Sequence, residues 1–194
     1  EESSLEVDGP LYLLAWTTTP WTLPGNIMVA VGAEIEYSVV KSEDAHYVVA
    51  KELLQTVFEG KEFELFAQVR GADLVGLTYT PLFPYFTNME GTEKGFRVLT
   101  ADFVTTGEGT GLVHLAPAFG TDDYEVFKKE GVPFIQHVNM DGTFIDEVTD
   151  FAGMNVKPAD DHMATDVEII KYLAHNGTLF SKKKYEHSYP HCWR

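Results

Sequence analysis

Hydroxyl side chains are concentrated in one short segment near the start of the chain. Residues 16–26 read WTTTPWTLPGN and hold four threonines, two tryptophans and two prolines. Proline fixes the backbone φ angle and removes a hydrogen-bond donor, so this composition predicts a stiff, extended loop and disfavours a helix. Hydroxyl groups in a stiff loop lose little entropy when they bind a polar ligand. The residue types also fit a second interpretation, a threonine-rich strand edge with tryptophans in the core.

A second segment whose residues could do chemistry is residues 105–123, TTGEGTGLVHLAPAFGTDD. Its glycines do not fit a phosphate-binding loop, because such a loop leads from a strand into a helix and no Gly-Lys-Ser/Thr follows here. They precede a predicted strand at residues 111–116, where glycine permits close approach of a neighbouring strand or a ligand. His114 and Asp123 are the candidate functional side chains, although each taken singly is also typical of a packed histidine or a helix cap.

Other hydrolytic and metal chemistries find little support. The sequence contains neither the Gly-x-Ser-x-Gly nucleophile motif nor the His-Glu-x-x-His zinc motif. His187, His191 and Cys192 supply part of a zinc site, but a fourth ligand at suitable spacing is missing and a terminal strand explains them as well. We therefore expect no metal. Cys192 is the single cysteine, which excludes an internal disulfide and suits a reducing compartment.

The charge of the chain limits how it binds nucleic acid. Fourteen basic and thirty acidic residues give a formal net charge of −16, and the one basic run is Lys182–Lys184. Proteins that hold a phosphate backbone along a broad surface carry a basic face, so the composition favours at most a pocket for the end of a strand. No apolar run reaches the roughly 20 residues of a membrane helix, and residues 1–4 lack signal-peptide character. We expect a cytoplasmic protein, with an organellar location as the alternative, and no membrane partner.

The elements that must position these residues are predicted to be mostly strands. β-Branched or aromatic runs predict strands, and residues 71–95 predict loops with short strands. The predicted strands are residues 11–16, 27–31, 37–41, 46–50, 63–70, 97–100 and 111–116. Many short strands with few helices predict a β-rich α+β fold, with a β-barrel-like core and peripheral helices. Residues 1–10 are predicted to be a flexible lead-in and residues 11–194 a single domain.

Three helices are predicted between and after these strands. Residues 51–58 predict a short helix that ends before Gly60. Residues 121–130 predict a second helix capped by Thr121, with Asp122 and Asp123 in its positive first turn. Residues 160–175 predict the longest helix, which stops at Asn176-Gly177. Its predicted apolar face consists of Met163, Val167, Ile170 and Leu173.

Taken together, the two segments resemble the editing insertion shared by the isoleucyl-, valyl- and leucyl-tRNA synthetases. That family pairs a threonine-rich loop with a later Gly-Thr-Gly strand and an aspartate just beyond it. Thr19 stands where the valyl and leucyl members have arginine, and Trp21-Thr22-Leu23-Pro24 and the ending at residues 187–194 are similar to the isoleucyl member. The His-x-Gly-His and Lys-Met-Ser-Lys-Ser signatures of aminoacylation are missing. The resemblance therefore implies an editing domain excised from a larger enzyme, without aminoacylation activity.

The resemblance also implies roles for individual residues. Editing of this kind hydrolyses valine wrongly attached to tRNA(Ile), a task required because an apolar pocket discriminates weakly against a missing methylene, as this class of synthetase itself exemplifies. Asp123 would anchor the α-ammonium of valine and His114 would exclude isoleucine. The loop residues that would hold the ester and the attacking water are Thr17, Thr18 and Thr19, supported by Thr22 and Asn26. Gly107, Glu108 and Gly109 would form part of the adenine site.

No residue resembles an activated covalent nucleophile, so direct attack by water is expected, without a cofactor. The expected partners are the aminoacylated 3′ end of tRNA(Ile) and the rest of the synthetase, and the chain is expected to be monomeric. The alternative function is a module that binds aminoacylated ends without catalysis of its own.

Overall fold

Two mixed β-sheets form the framework of the protein. The computed structural model describes residues 7–183, and within them seven strands. The strands are β1 (Leu11–Leu13), β2 (Met28–Val31), β3 (Glu36–Ser42), β4 (Ala45–Ala50), β5 (Glu64–Arg70), β6 (Arg97–Thr100) and β7 (Leu112–Leu115). The four-stranded sheet has the order β1-β4-β3-β5, in which only the β1–β4 pair is parallel. The three-stranded sheet has the order β6-β2-β7, with β2 parallel to β6 and antiparallel to β7.

Strand β2 lies between two cores, which explains its uninterrupted apolar sequence. All four of its residues are buried. Val29 and Val31 belong to the apolar cluster shared with the four-stranded sheet, while Met28 and Ala30 belong to the second cluster, on the other side. A strand buried on both faces has no reason to alternate apolar with polar residues. The three-stranded sheet is therefore the middle layer of the domain.

Three α-helices are described: α1 (Leu54–Val57), α2 (Thr121–Glu130) and α3 (Ala164–His175). The predicted helix at residues 51–58 is divided into a 3₁₀ turn at Lys51–Leu53 followed by α1. Helix α2 has its predicted bounds, but the prediction that Thr121 caps it is wrong. Gly120 is the N-cap residue and no side chain makes the cap hydrogen bond.

The longest helix, α3, begins four residues later than predicted and buries a different face. Its buried residues are Thr165, Asp166, Ile169 and Leu173. Of the predicted apolar face only Leu173 is fully buried, while Met163 is 54% and Val167 40% exposed. The stop at Asn176-Gly177 is confirmed, since Asn176 is the C-cap residue and Gly177 has a φ of +69°. The helix itself is confirmed, but its buried face includes two polar residues and excludes Met163 and Val167.

The remaining segments connect these elements. Residues 71–95 are mostly irregular, with short 3₁₀ helices at Gly71–Leu74 and Thr92–Lys94. The β-rich fold with few helices is confirmed, although the two sheets do not close into a barrel and the term barrel-like holds only loosely. Within the predicted lead-in, Val7 packs against the core of the four-stranded sheet and the Pro10 carbonyl accepts from the His46 amide. No helix in residues 7–183 has the length and apolar character needed to cross a bilayer.

Candidate active site

The segment at residues 16–26, here called the threonine loop, connects β1 to β2. The prediction of an extended loop without helix is wrong, because Pro20–Gly25 forms a 3₁₀ helix. Proline suits its first position, since the fixed φ is close to helical and the missing N–H would have no partner there. Trp16, at the start of the loop, bridges in parallel to Val113 of β7. The loop is thus held against the three-stranded sheet, and Thr22 to Asn26 are buried.

Three of the predicted threonines and His114 form one chain of polar contacts. Thr17 Oγ1 lies 3.3 Å from Thr19 Oγ1 and accepts from the Thr19 amide at 3.0 Å. Thr19 Oγ1 lies 3.5 Å from Thr22 Oγ1, a long contact. Thr22 Oγ1 is in turn 3.0 Å from Nε2 of His114, which β7 places opposite Val29 of β2. The structure therefore brings together two segments separated by about ninety residues of sequence.

The hydrogen bonds of Thr22 assign the tautomer of His114. Thr22 Oγ1 donates its single proton to the Thr19 carbonyl at 2.9 Å. It therefore accepts from His114, so Nε2 carries the imidazole proton. Burial, and secondarily the nearby His137, lowers the pKa of His114 from its usual 6.5 to about 4. The side chain keeps some exposed surface, but Nδ1 is buried without a hydrogen-bond partner among the described residues. His114 is a neutral, restrained ring at physiological pH.

Asp123 reaches the same end of β7 from the first turn of α2. Its Oδ2 accepts a hydrogen bond from the Ala116 amide at 2.9 Å, two residues beyond His114. A helix N-terminus carries partial positive charge and favours an ionised carboxylate. The turn between β7 and α2 also contacts the threonine loop, since Phe119 packs edge-on against Trp21 with ring centroids 4.9 Å apart. Asp123 as a residue is half-buried.

The predicted adenine-site residues lie at the other end of β7. Gly107 and Glu108 are exposed, and Gly109 is half-buried against Trp16. Gly109 has a φ of +78°, and an added Cβ would lie 2.9 Å from the Trp16 ring, so both conformation and space require glycine. The loop at residues 107–109 thus contacts the residue that immediately precedes Thr17.

Two further predicted residues have other positions. Thr18 is half-buried within the loop. The buried Asn26 side chain donates to the Met28 carbonyl at 2.8 Å and accepts from the Tyr79 hydroxyl at 2.6 Å. These bonds tie the end of the threonine loop to β2 and to Tyr79.

The structure adds two residues that the sequence did not reveal. His137, fully buried, lies with Nε2 3.1 Å from the Trp21 carbonyl oxygen. Asp166 of α3, 1% exposed, accepts from the Trp21 amide at 3.3 Å. No local motif surrounds His137. The burial of Asp166 could have been predicted, because it lies seven residues before Leu173 and so shares the buried face of the helix.

Two surface clefts lie apart from this arrangement. One, of about 430 Å³, includes Glu36, Lys51 and Thr106, and the other, of about 350 Å³, includes Lys41, His46 and Phe66. Neither is lined by a threonine-loop residue, His114 or Asp123, so the chemistry of the side chains and not cleft size identifies the site. Within residues 7–183 no cluster of three or more acidic, histidine or cysteine side chains is placed to hold a metal. His187, His191 and Cys192 lie outside the described residues.

Comparison with known proteins connects this geometry to a family. No family model matches the sequence. Among curated proteins, the isoleucine–tRNA ligase of Treponema denticola is 48% identical over 94% of this chain, and that of Clostridium tetani is 46% identical over the same share. The aligned region is 18% and 17% of the length of these relatives, so the chain corresponds to a small part of them.

Solved structures agree on the fold. The CP1 domain of a leucyl-tRNA synthetase (GlLeuRS-CP1) superposes with a TM-score of 0.53 at 26% identity, covering 64% of this chain and 46% of that one. The editing domain of the cytosolic leucyl-tRNA synthetase of P. falciparum gives 0.52 at 19% identity, covering 63% and 47%, and supports the fold alone. The chain belongs to the isoleucine–tRNA ligase family, as the segment that has the fold of the CP1 editing domain.

Proposed function

We propose that this chain hydrolyses the ester that joins valine to the terminal adenosine of tRNA(Ile). The observation that carries the proposal is the contact between Thr22 Oγ1 and His114 Nε2, 3.0 Å, which fixes the threonine loop beside the β7 strand that leads to Asp123. Membership of a synthetase family with editing-domain neighbours supports the reaction class. The activity is ester hydrolysis, and aminoacylation belongs to other parts of the parent enzyme.

Asp123 anchors the substrate through its charge. The α-ammonium of the valyl group is a cation, and a carboxylate binds it with a charge-assisted hydrogen bond of about twice the strength of a neutral one. Ala116 and the start of α2 support the carboxylate, which fixes the position of the amine. The ester carbonyl, one bond beyond the α-carbon, is then directed to the threonine loop.

His114 acts by its size and not by its charge. With a pKa lowered to about 4 it is neutral at physiological pH, so it does not repel the ammonium. Its bond to Thr22 restricts rotation of the ring, and a restricted ring is an effective steric limit. A wall of this kind admits valine and excludes the additional methylene of isoleucine, which completes a selection that a single apolar pocket performs poorly.

Water is the nucleophile in the proposed reaction. Its oxygen attacks the ester carbonyl carbon, the bond from that carbon to the ribose oxygen breaks, and the ribose oxygen takes up a proton. Hydroxyls of Thr17, Thr18 and Thr19, together with the neighbouring ribose hydroxyl of the substrate, orient this water. Proximity and orientation alone lower such barriers substantially, so no strong protein base, metal or cofactor is needed. Gly107, Glu108 and Gly109 are proposed to receive the adenine.

The partners follow from the charge and the length of the chain. A net charge of −16 gives weak affinity for a tRNA body, so the remainder of the synthetase is proposed to hold the tRNA while this domain receives its aminoacylated 3′ end. We propose that the domain acts as a cytoplasmic monomer. The same charge favours a second candidate function, a module that binds aminoacylated ends but hydrolyses them only within the parent enzyme.

Deacylation of two substrates tests the proposal. The chain is mixed with valyl-tRNA(Ile) and with isoleucyl-tRNA(Ile), and release of amino acid is compared with that in buffer. Wild type is expected to release valine only, while His114→Ala is expected to release isoleucine as well, because the truncated side chain removes the steric limit. His175→Ala, which changes an exposed histidine at the end of α3, is the matched control.

Three outcomes separate the candidates. Release of valine no faster than in buffer, with activity in the full-length enzyme, favours the binding module. If neither this chain nor the full-length enzyme releases valine from valyl-tRNA(Ile), the proposed reaction is contradicted. Continued rejection of isoleucine by an active His114→Ala variant places the size limit elsewhere.

A further inference from the structure

The backbone of Trp21 is held at both ends by side chains from distant parts of the chain. Its N–H donates to Asp166 Oδ1 at 3.3 Å, across 145 residues of sequence. Its carbonyl accepts from His137 Nε2 at 3.1 Å, across 116 residues. A carbonyl only accepts, so Nε2 of His137 carries the proton. Both side chains are fully buried, so these contacts are shielded from competition with water.

The contact with Asp166 replaces a local helix cap. The first N–H groups of a helix have no acceptor within it, and a threonine at the N-cap position commonly accepts from one of them. Thr19 is the N-cap residue of the 3₁₀ helix but makes no side-chain cap bond. Pro20 has no N–H, and the Trp21 N–H is bound by Asp166. The Thr19 hydroxyl is therefore left to its contacts with Thr17 and Thr22 in the site.

Asp166 and His137 are themselves restrained. Asp166 Oδ2 forms an ion pair with Lys157 Nζ at 2.5 Å, which compensates its buried charge. The His137 ring packs against Phe119 and Phe144, with centroids 4.8 and 6.0 Å away. Gly25 admits this ring, since a Cβ there would lie 2.0 Å from His137 Nδ1. Neither residue is hydrogen-bonded to a threonine hydroxyl, so each acts on the site through the Trp21 backbone.

We propose that Asp166 and His137 are positioning residues of the active site, which fix the threonine hydroxyls by holding the backbone of Trp21 from two sides. The functional part of this inference rests on the proposed hydrolysis. Small errors in the placement of reacting groups reduce the rate much more than binding. Loss of either contact is therefore expected to lower kcat for valyl-tRNA(Ile) by about 10-fold while KM changes less than about 2-fold.

Paired variants separate positioning from general stability. Asp166→Ala removes the acceptor for the Trp21 N–H, whereas Asp166→Asn keeps an oxygen acceptor and loses only the charge. His137→Phe keeps ring volume and loses the donor, whereas His137→Gln keeps a donor. Glu168→Ala, which breaks an exposed ion pair with Lys171 on the same helix, is the control. Each variant of this chain is assayed for kcat and KM at a temperature where circular dichroism reports a folded state.

Amide hydrogen exchange gives a readout that does not depend on hydrolysis. The Trp21 amide is expected to exchange about 10-fold faster in Asp166→Ala than in wild type, while β2 amides keep their protection, because a lost hydrogen bond opens the loop locally. Asp166→Asn is expected to restore both slow exchange and most of kcat. Wild-type Trp21 exchange in folded Asp166→Ala, or full kcat in folded Asp166→Ala or His137→Phe, would overturn the inference. If Asp166→Ala does not fold, the His137 pair decides it, since His137→Phe is expected to lose kcat that His137→Gln retains, and equal full kcat in both would overturn the inference. If wild type is inactive, the proposed hydrolysis fails, and Trp21 exchange alone decides whether the two residues position the loop.

Discussion

The threonine loop (residues 16–26) and the glycine–aspartate segment (residues 107–123) meet in one site but reach it by different means. The glycine–aspartate segment consists of two regular elements with local sequence patterns, β7 and α2, and Asp123 is bonded to the Ala116 amide only seven residues away. The threonine loop is ordered from outside, through contacts of the Trp21 backbone with His137 and Asp166. A local change in the first segment should therefore act locally. A change far from the threonine loop can disturb it.

The largest expected effect tests the locally ordered segment. Asp123→Ala removes the proposed partner of the substrate ammonium, and loss of a charged hydrogen bond of about 1.5–3 kcal/mol corresponds to a loss of about 10- to 150-fold in kcat/KM. We expect a value near the upper limit, measured with valyl-tRNA(Ile). Glu125→Ala, an exposed carboxylate on the same helix, is expected to retain activity. If Asp123→Ala is as active as this control, the carboxylate is not the anchor.

The same difference explains what the sequence could predict. The positions of β7 and α2 follow from patterns within about twenty residues. The β-rich fold with few helices was also predictable from strand patterns. The exact cap was not, since Gly120 and not Thr121 is the N-cap residue of α2.

The threonine loop was predicted incorrectly because its conformation depends on residues far away in sequence. Its composition indicated an extended loop, yet the Trp21 N–H finds its acceptor in Asp166 and a 3₁₀ helix results. The error in the buried face of α3 has the same origin. Apolar character predicted that Met163 and Val167 are buried, whereas α3 buries Thr165 and Asp166, and Asp166 binds the Trp21 N–H of the 3₁₀ helix. Asp166 lies seven residues before the buried Leu173 and so shares its helix face, but a prediction based on apolar residues alone does not include it.

Alanine substitution of one glycine in the threonine loop and one in the glycine–aspartate segment is expected to affect stability differently. A Cβ on Gly25 would lie 2.0 Å from Nδ1 and 2.2 Å from Cε1 of the buried His137 ring. Gly25→Ala is therefore expected to lower the free energy of unfolding by about 3 kcal/mol, as overpacking of a core does. A Cβ on Gly107 would meet only the Thr105 hydroxyl, at 4.0 Å, so Gly107→Ala should change stability by less than about 0.5 kcal/mol. Urea unfolding measures both free energies, and equal values would show that the threonine loop is no more constrained at Gly25 than the glycine–aspartate segment is at Gly107.

The smallest expected effect concerns pH and the residue that holds the threonine loop from outside. Burial lowers the pKa of His137 from its usual 6.5 to about 4. Between these values the unfolded chain binds a proton that the folded chain does not, so the contribution of His137 to stability is complete above about pH 6.5 and is lost as the pH falls toward 4. For one such group, the loss between pH 7 and pH 5 is about 2 kcal/mol. His114 is shifted in the same direction, but it keeps some exposed surface, so we expect the larger part from His137.

His137→Phe isolates this contribution. The variant keeps an aromatic ring beside Phe119 and Phe144 and removes the titrating group, so its stability should fall by about 2 kcal/mol less than that of wild type between pH 7 and pH 5. His175→Phe changes an exposed histidine and should leave the wild-type pH dependence intact. Urea unfolding at the two pH values gives the comparison. If the free energy of unfolding changes equally with pH in wild type and His137→Phe, then His137 binds its proton equally in the folded and unfolded chains. Burial of the ring would then not lower its pKa.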